Sequence, residues 1–148
     1  MHRKLSQSGV TLIEMLIVMA IIGVIAGITF PSVSSGLDSI QLRSAADGVS
    51  TFLTAAMTRA DRREQAIEVV ISPADNALTL FSSEAGYTRR YALENGIRIA
   101  GEQPTEFLLL PGGAPPAVSI DLFNKRGAHK IVHIDPVTGV PIIGVPQT

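Results

Sequence analysis

The sequence contains no cysteine, and this absence excludes disulfide scaffolds, cysteine-ligated zinc, iron–sulfur clusters and thiol nucleophiles. Charge is also scarce: charged residues make up 17% of the chain, against about 25% in typical soluble domains. Neither sign dominates, because 12 Lys and Arg face 13 Asp and Glu, which argues against a chain that coats nucleic acid. A length of 148 residues fits one domain with a short appendage and excludes a large multidomain enzyme.

The missing charge is concentrated near the amino terminus. The segment Met15–Phe30 carries no charge, and Val10–Phe30 is interrupted by Glu14 alone. As a helix, these 21 residues would span about 31 Å, which matches the roughly 30 Å core of a bilayer. A secretory signal peptide is the alternative, but its apolar core is usually about 7 to 15 residues long. The sequence therefore predicts a membrane-spanning helix, and Arg3 and Lys4 ahead of it predict a cytoplasmic amino end.

Glu14 is unusual in such a segment. An ionised carboxylate at the centre of a bilayer costs about 2.5 to 3.5 kcal/mol, so it normally has a partner or reaches the interface. One hypothesis is that Glu14 extends to the headgroups. The other is that the chain is cut after Gly9, so that the new α-amino group of Val10 in one copy pairs with Glu14 of its neighbour.

The stretch Ser8–Val18, SGVTLIEMLIV, resembles the class III signal of type IV pilins and type II secretion pseudopilins. The resemblance implies that residues 1–9 are a leader, that prepilin peptidase cuts after Gly9, and that Val10 becomes the methylated first residue. It also places Glu14 at the position that the family uses for assembly. Pro31 falls where many members carry proline, whereas Val10 departs from the phenylalanine that is commonest at its position.

Two helical segments are predicted. Residues 10–31 form the transmembrane and filament-core helix, in which Gly23 and Gly27 either permit close helix packing or are simply common membrane-helix residues. Pro31 should kink or interrupt the helix at the membrane exit. Residues 32–65 then continue as an amphipathic helix, since apolar residues recur at steps of three and four from Leu42 to Ala60.

From residue 66 to 148 the sequence predicts an antiparallel β domain, covered by the apolar stripe of the amphipathic helix. Turn residues separate the predicted strands, which are Ala66–Ser72, Ala77–Ser83, Tyr87–Leu93, Ile97–Ala100, Glu106–Leu110, Val118–Phe123, Lys130–Ile134 and Val140–Val145. The predicted fold class is α+β and pilin-like: a long N-terminal helix, membrane-spanning in its first half, packed on a C-terminal β domain.

A long helix that leads into short strands resembles the minor-subunit group called GspH or FimT-like, in which two small β-sheets follow the helix. The closing segments Ile120–Phe123, Val132–Asp135 and Thr138–Val140 are similar to that group. The resemblance implies a noncatalytic minor pseudopilin of a type II secretion system, at or near the tip of the pseudopilus. The alternative is a minor pilin of a type IV pilus, active in pilus assembly or in DNA uptake.

An enzyme is not expected. His129, His133 and Asp135 offer metal-ligating groups near one strand, but two histidines in a strand are more often partly exposed side chains. No GxSxG, HExxH or phosphate-binding loop is present in the sequence. We therefore expect no catalytic residues, no metal and no cofactor.

Basic pairs at predicted element ends are candidate phosphate contacts, although solubility is the simpler interpretation. The pairs are Arg62 with Arg63, Arg89 with Arg90, and Lys125 with Arg126. If they converge in space, they would favour DNA binding. If they are scattered, a protein–protein role is favoured.

The resemblance also implies partners and a location. The partners are other major and minor pilins or pseudopilins, prepilin peptidase, an inner-membrane assembly platform and secreted protein cargo. The location is the bacterial inner membrane, with a single pass, a cytoplasmic amino terminus and a periplasmic C-terminal domain before incorporation into the filament.

Overall fold

The computed structural model describes residues 10–82 and 86–144, without the side chains of residues 30–35. The described residues form one helix and eight strands: α1 (Leu12–Arg63), β1 (Ile67–Ser72), β2 (Ala77–Ser82), β3 (Thr88–Ala92), β4 (Arg98–Ile99), β5 (Thr105–Leu109), β6 (Ser119–Phe123), β7 (His129–Ile134) and β8 (Pro141–Gly144). The chain divides into two compact units, Met1–Leu37 and Asp38–Thr148. The leader 1–9 and the predicted strand ends Ser83 and Val145 lie outside the described residues.

In the first unit, the segment Met15–Ile28 of α1 consists of apolar residues and glycine, so it is apolar on every side. The longer segment Leu12–Thr29 has a mean hydropathy of 2.5 and none of it is buried within the protein. The hydroxyl of Thr29 donates to the carbonyl of Ile25 at 2.8 Å, so this polar group is satisfied inside the helix. By length and composition, this segment is able to cross a membrane.

The helix is not interrupted at Pro31, contrary to one form of the prediction. Helical backbone runs without a break from Leu12 to Arg63. A proline removes one backbone hydrogen bond and leaves the rest of the ladder intact, so a helix can continue past it. A bend at Pro31 stays a prediction.

In the second unit, α1 is amphipathic as predicted. Leu42, Ala46, Val49, Leu53 and Ala56 are at most 3% exposed and follow steps of three and four. Their stripe packs into the core, whereas the opposite strip of the helix is exposed.

The helix ends in a Schellman motif. Gln65 N–H donates to the carbonyl of Ala60, and Glu64 N–H donates to that of Asp61. Glu64 occupies the left-handed position at φ 51°, where glycine is commonest. The predicted amphipathic helix at 32–65 therefore has its C-terminal end at Arg63.

The strands form two four-stranded antiparallel sheets, which confirms the α+β class and the two small sheets. The first sheet has the order β3-β2-β1-β5, and the second sheet has the order β4-β6-β7-β8. Every predicted strand is present within one or two residues of its expected bounds. Both sheets contribute to one core with the helix; Val69 and Leu80 of the first sheet and Leu122 and Val132 of the second are almost fully buried.

Asn76 joins the two sheets. Its Nδ2 donates to the carbonyls of Leu93 at 3.0 Å and Ile97 at 2.7 Å, and its Oδ1 accepts the amide of Ile99 at 3.0 Å. Asn76 lies in the β1–β2 turn, and Leu93–Ile99 is the segment that leads from β3 into β4. One side chain thus fixes the crossover between the sheets.

Candidate functional site

The first turn of α1 is capped by Thr11. The hydroxyl oxygen of Thr11 accepts the amide of Glu14 at 3.3 Å, and its carbonyl accepts the same amide at 3.1 Å. Thr11 and Glu14 occupy the N-cap and N3 positions of the capping-box pattern T-x-x-E. Glu14 therefore lies in the first turn of the helix, at the positive end of the helix dipole.

The candidate assembly residues are accessible. Val10 is 61% exposed and precedes the helix, and Glu14 is exposed in the first turn. Gly9 lies outside the described residues, so the cleavage bond itself has no described geometry. A Cβ placed on Gly23 or Gly27 would meet nothing within 4 Å, so both glycines face open space within this chain.

The basic pairs do not form a single surface. Arg126 lies in the β6–β7 turn, and its Nε pairs with Asp38 Oδ2 at 2.6 Å. Arg62 lies 24 residues after Asp38 on the same helix, which corresponds to about 36 Å. The Lys125–Arg126 pair and the Arg62–Arg63 pair therefore lie near opposite ends of the second unit's helix.

Arg89 and Arg90 also diverge from each other, because consecutive residues of a strand point to opposite faces. Arg89 lies on the helix side, with its guanidinium carbon 5.9 Å from the centre of the Phe52 ring. Arg90 lies on the outer face, where its Nη2 reaches the carbonyl of Asp75 at 3.5 Å. The six residues proposed to contact DNA are thus distributed over several surfaces.

Aromatic residues hold the edge strand β3 against the helix. The Arg59 guanidinium lies 3.4 Å from the centre of the Tyr87 ring, a cation–π contact. The Tyr91 ring lies 5.8 Å from that of Phe52 and passes over Gly48, where a Cβ would overlap its hydroxyl. Burial raises the pKa of the Tyr91 hydroxyl, and the carboxylate of Glu94 raises it further.

A groove of about 590 Å³ runs beside this contact, along the exposed strip of the helix. We call it the arginine groove; it is lined by Ser50, Thr51, Thr54, Ala55, Thr58, Arg59, Arg62, Arg63 and Tyr87. The hydroxyls of Thr51, Thr54 and Thr58 each donate to the carbonyl four residues earlier at 2.8 Å. They give the groove a neutral floor, and its charge comes from arginine.

The histidine cluster does not form a metal site. His129 and His133 are four residues apart on β7, which separates their Cα atoms by about 13 Å. His129 Nδ1 instead contacts Asp121 at 3.1 Å. Among the residues that the structure describes, no group of three His, Cys, Asp or Glu is placed to hold a metal ion.

Asp135 has a structural role in the β7–β8 turn. Its Oδ1 accepts the amides of Val137 at 2.9 Å and Thr138 at 2.7 Å, and the Thr138 hydroxyl at 3.0 Å. These hydrogen bonds, led by that from the Thr138 amide, lower the pKa of Asp135. This carboxylate is therefore a turn cap.

Sequence reasoning missed several of these residues. The Thr11 cap had a readable signal, since T-L-I-E fits the capping-box pattern. The Asn76 junction and the Asp38–Arg126 pair had none, because their partners lie 17 to 23 and 88 residues away.

The chain is similar to known proteins in its amino-terminal motif and in its fold. A family model described as the prokaryotic N-terminal methylation motif matches residues 4–30. No curated protein matches the chain. Among solved structures, the minor pseudopilin EpsH from the type 2 secretion system of Vibrio cholerae matches with a TM-score of 0.59 and 17% identity. The match covers 73% of this chain and 99% of that one, and it confirms the pilin-like fold.

Proposed function

Since its methylation motif and its fold make this chain a member of the type IV pilin and type II secretion pseudopilin superfamily, we propose that it is a minor pseudopilin of a type II secretion system. The observation that carries the proposal is the combination of a motif at residues 4–30 with a fold like that of EpsH over almost all of the EpsH chain. The proposed role is structural: the subunit joins a filament with other pseudopilins and lies at or near its tip.

The proposed pathway begins in the inner membrane. The helix Leu12–Thr29 holds the precursor in the bilayer, with residues 1–9 cytoplasmic and the β domain periplasmic. Prepilin peptidase cuts between Gly9 and Val10 and methylates Val10. An assembly platform then extracts the subunit, and secreted cargo or other minor subunits contact its β domain.

Glu14 is the proposed assembly residue. Its exposed carboxylate, four residues after Val10, pairs with the α-amino group of Val10 in a neighbouring copy or related subunit. The Thr11 cap holds the backbone of the first helical turn, from which the Glu14 side chain extends. In a bilayer, a partner of opposite charge lowers the cost of burying a carboxylate.

Processing is tested by intact mass and amino-terminal sequencing of the protein from its native membranes. We expect a chain that begins at methylated Val10. Gly9→Leu should leave a precursor that begins at Met1, whereas Gly23→Leu, a matched change inside the helix, should be cut normally. A wild-type chain that begins at Met1, or beyond Ala26, would contradict the proposal.

The alternative is a minor pilin of a type IV pilus, which would share the same motif and fold. The observation in its favour is that Arg59, Arg62 and Arg63 line one groove, where a phosphate backbone could lie. Deletion of the gene separates the two functions. Loss of protein secretion with normal surface pili supports the pseudopilin, and the reverse supports the pilin.

A further inference from the structure

The arginine groove is the basic surface of α1 in the second unit, and Arg62 and Arg63 are exposed in it. Neither forms an ion pair with any other described residue, and none of the described lining residues is acidic. Because the threonine hydroxyls of the floor already donate to their own helix, the groove presents guanidinium donors beside hydroxyl oxygens. This surface is complementary to a partner that carries carboxylates.

The part of the first sheet's outer face formed by β2, β1 and β5 is acidic, whereas Arg90 lies on the same face at the opposite edge, in β3. Glu68 is opposite Phe81 on one side and Leu108 on the other, so the three form a row across β2, β1 and β5. Phe81 is 42% exposed and Leu108 is 58% exposed. Glu106 lies on the same face, opposite Val70, and within the described parts of the chain neither glutamate forms an ion pair.

The two surfaces lie on opposite sides of the helix–sheet pair. On β1, Ile67 and Val69 point to the core, so Glu68 and Val70 point outward. On α1, Ala56 and Ala60 are buried, whereas Thr54, Thr58 and Arg62 lie on the exposed strip. A contact that joined the two surfaces would be head-to-tail, and each added copy would leave one surface free for the next.

We propose that the acidic part of the first sheet's outer face, on β2, β1 and β5 of one copy, docks in the arginine groove of a second copy. Glu68 and Glu106 pair with Arg62 and Arg63, while Phe81 and Leu108 flank the charges and exclude water. The partner is a second copy because the complementary surface belongs to this chain. Such exposed pairs are individually weak, so the contact acts between copies that the membrane already concentrates. The proposal is independent of the machine that the subunit serves.

The absence of cysteine makes this contact directly testable by cross-linking. Two differently tagged full-length copies are expressed together in membranes, one with Thr54→Cys in the groove and one with Thr79→Cys on the outer face. A short bismaleimide should join the two tags. Arg62→Glu with Arg63→Glu in the first copy should reduce the product about fivefold or more, as expected for the loss of roughly 1 kcal/mol. Glu68→Lys with Glu106→Lys in the second copy should do the same, and the two reversals together should restore the product.

Arg43→Glu is the matched control, because Arg43 is an exposed arginine on the same helix outside the groove. It should leave the yield of the cross-linked product unchanged. Every variant should be cut normally by prepilin peptidase, so this test is separate from that of the proposed function. Failure of the double reversal to restore the product would overturn the proposal. Two other results would also overturn it. One is a Thr54→Cys product that contains only the groove-marked copy or another protein. The other is protection of that cysteine from maleimide by a DNA duplex.

Discussion

The two units of this protein differ in whether their apolar side chains are exposed or buried. In the first unit, the described apolar side chains point outward on all sides; Leu12 is 80% exposed and Ile28 is 69% exposed. In the second unit, a single core buries the helix stripe and both sheets, and Leu53 and Val132 are fully buried. The first unit therefore needs a membrane or neighbouring helices to bury its surface, whereas the second satisfies its own. Variants of the first unit should change assembly, and variants of the second should change folding.

The strongest test of this division is Glu14→Ala. We expect normal cleavage and an unchanged β domain, but about tenfold less protein in sheared filaments, because the neighbour's α-amino group would lose its partner in an apolar setting. Quantitative immunoblotting of the filament and membrane fractions measures the ratio.

Two further variants separate charge from helix capping. Glu14→Gln keeps the side-chain length without the charge and should fail like Glu14→Ala. Thr11→Ala removes the cap and should weaken the first turn by about 1 kcal/mol while filaments still form. Normal incorporation of Glu14→Ala would remove the pairing role.

Asn76→Gly, in the second unit, should lower the stability of the fold. Glycine accepts the left-handed backbone of this position, φ 50°, so the variant removes the side-chain hydrogen bonds without adding strain. Loss of three hydrogen bonds at a partly buried junction should lower the free energy of unfolding by about 2 to 4 kcal/mol. Thermal or urea unfolding of the purified protein in detergent measures the change.

The control for this variant is Asp75→Ala, in the same turn. The Asp75 side chain is exposed and accepts a hydrogen bond from Ser72 in the described contacts, and the contact with Arg90 is made by the Asp75 backbone carbonyl, which alanine keeps. The loss of this side chain should therefore change stability by less than about 1 kcal/mol. Equal effects of the two variants would mean that the junction between the sheets does not depend on Asn76.

The contrast between the units also explains what the sequence could predict. The membrane segment, the methylation motif and the alternation of the strands are short-range patterns, and the structure and the comparisons agree with them. Whether the basic pairs converge could not be predicted, since it depends on contacts between residues far apart in the sequence. In the structure they are separated: Arg126 pairs with Asp38, 88 residues away, and Arg62 lies at the far end of the helix.

Close packing between distant residues also could not be predicted from the sequence. Gly48 in the helix interior has no local reason to be glycine, and only the Tyr91 ring that crosses it, 43 positions later, explains it. Pro31 is a case in which a local signal predicted more than the structure shows. A strong local signal predicted a kink or an interruption; the helix is not interrupted, because it can lose one hydrogen bond without ending, and the kink stays a prediction.

The smallest expected effect lies where the helix ends and the β domain begins. Glu64 closes the Schellman motif at φ 51°, a conformation that disfavours a side chain with a Cβ. Glu64→Gly should therefore raise the free energy of unfolding by about 0.5 to 1 kcal/mol, because relief of strain at C′ exceeds the extra freedom that glycine gives the unfolded chain. Glu64→Ala removes the same carboxylate and keeps the Cβ, so it should give no such gain. If both variants stabilise equally, the gain comes from removal of a negative charge at the helix C-terminus. If only the glycine variant gains, the backbone at Glu64 is the cause, and assembly into filaments should not change with it.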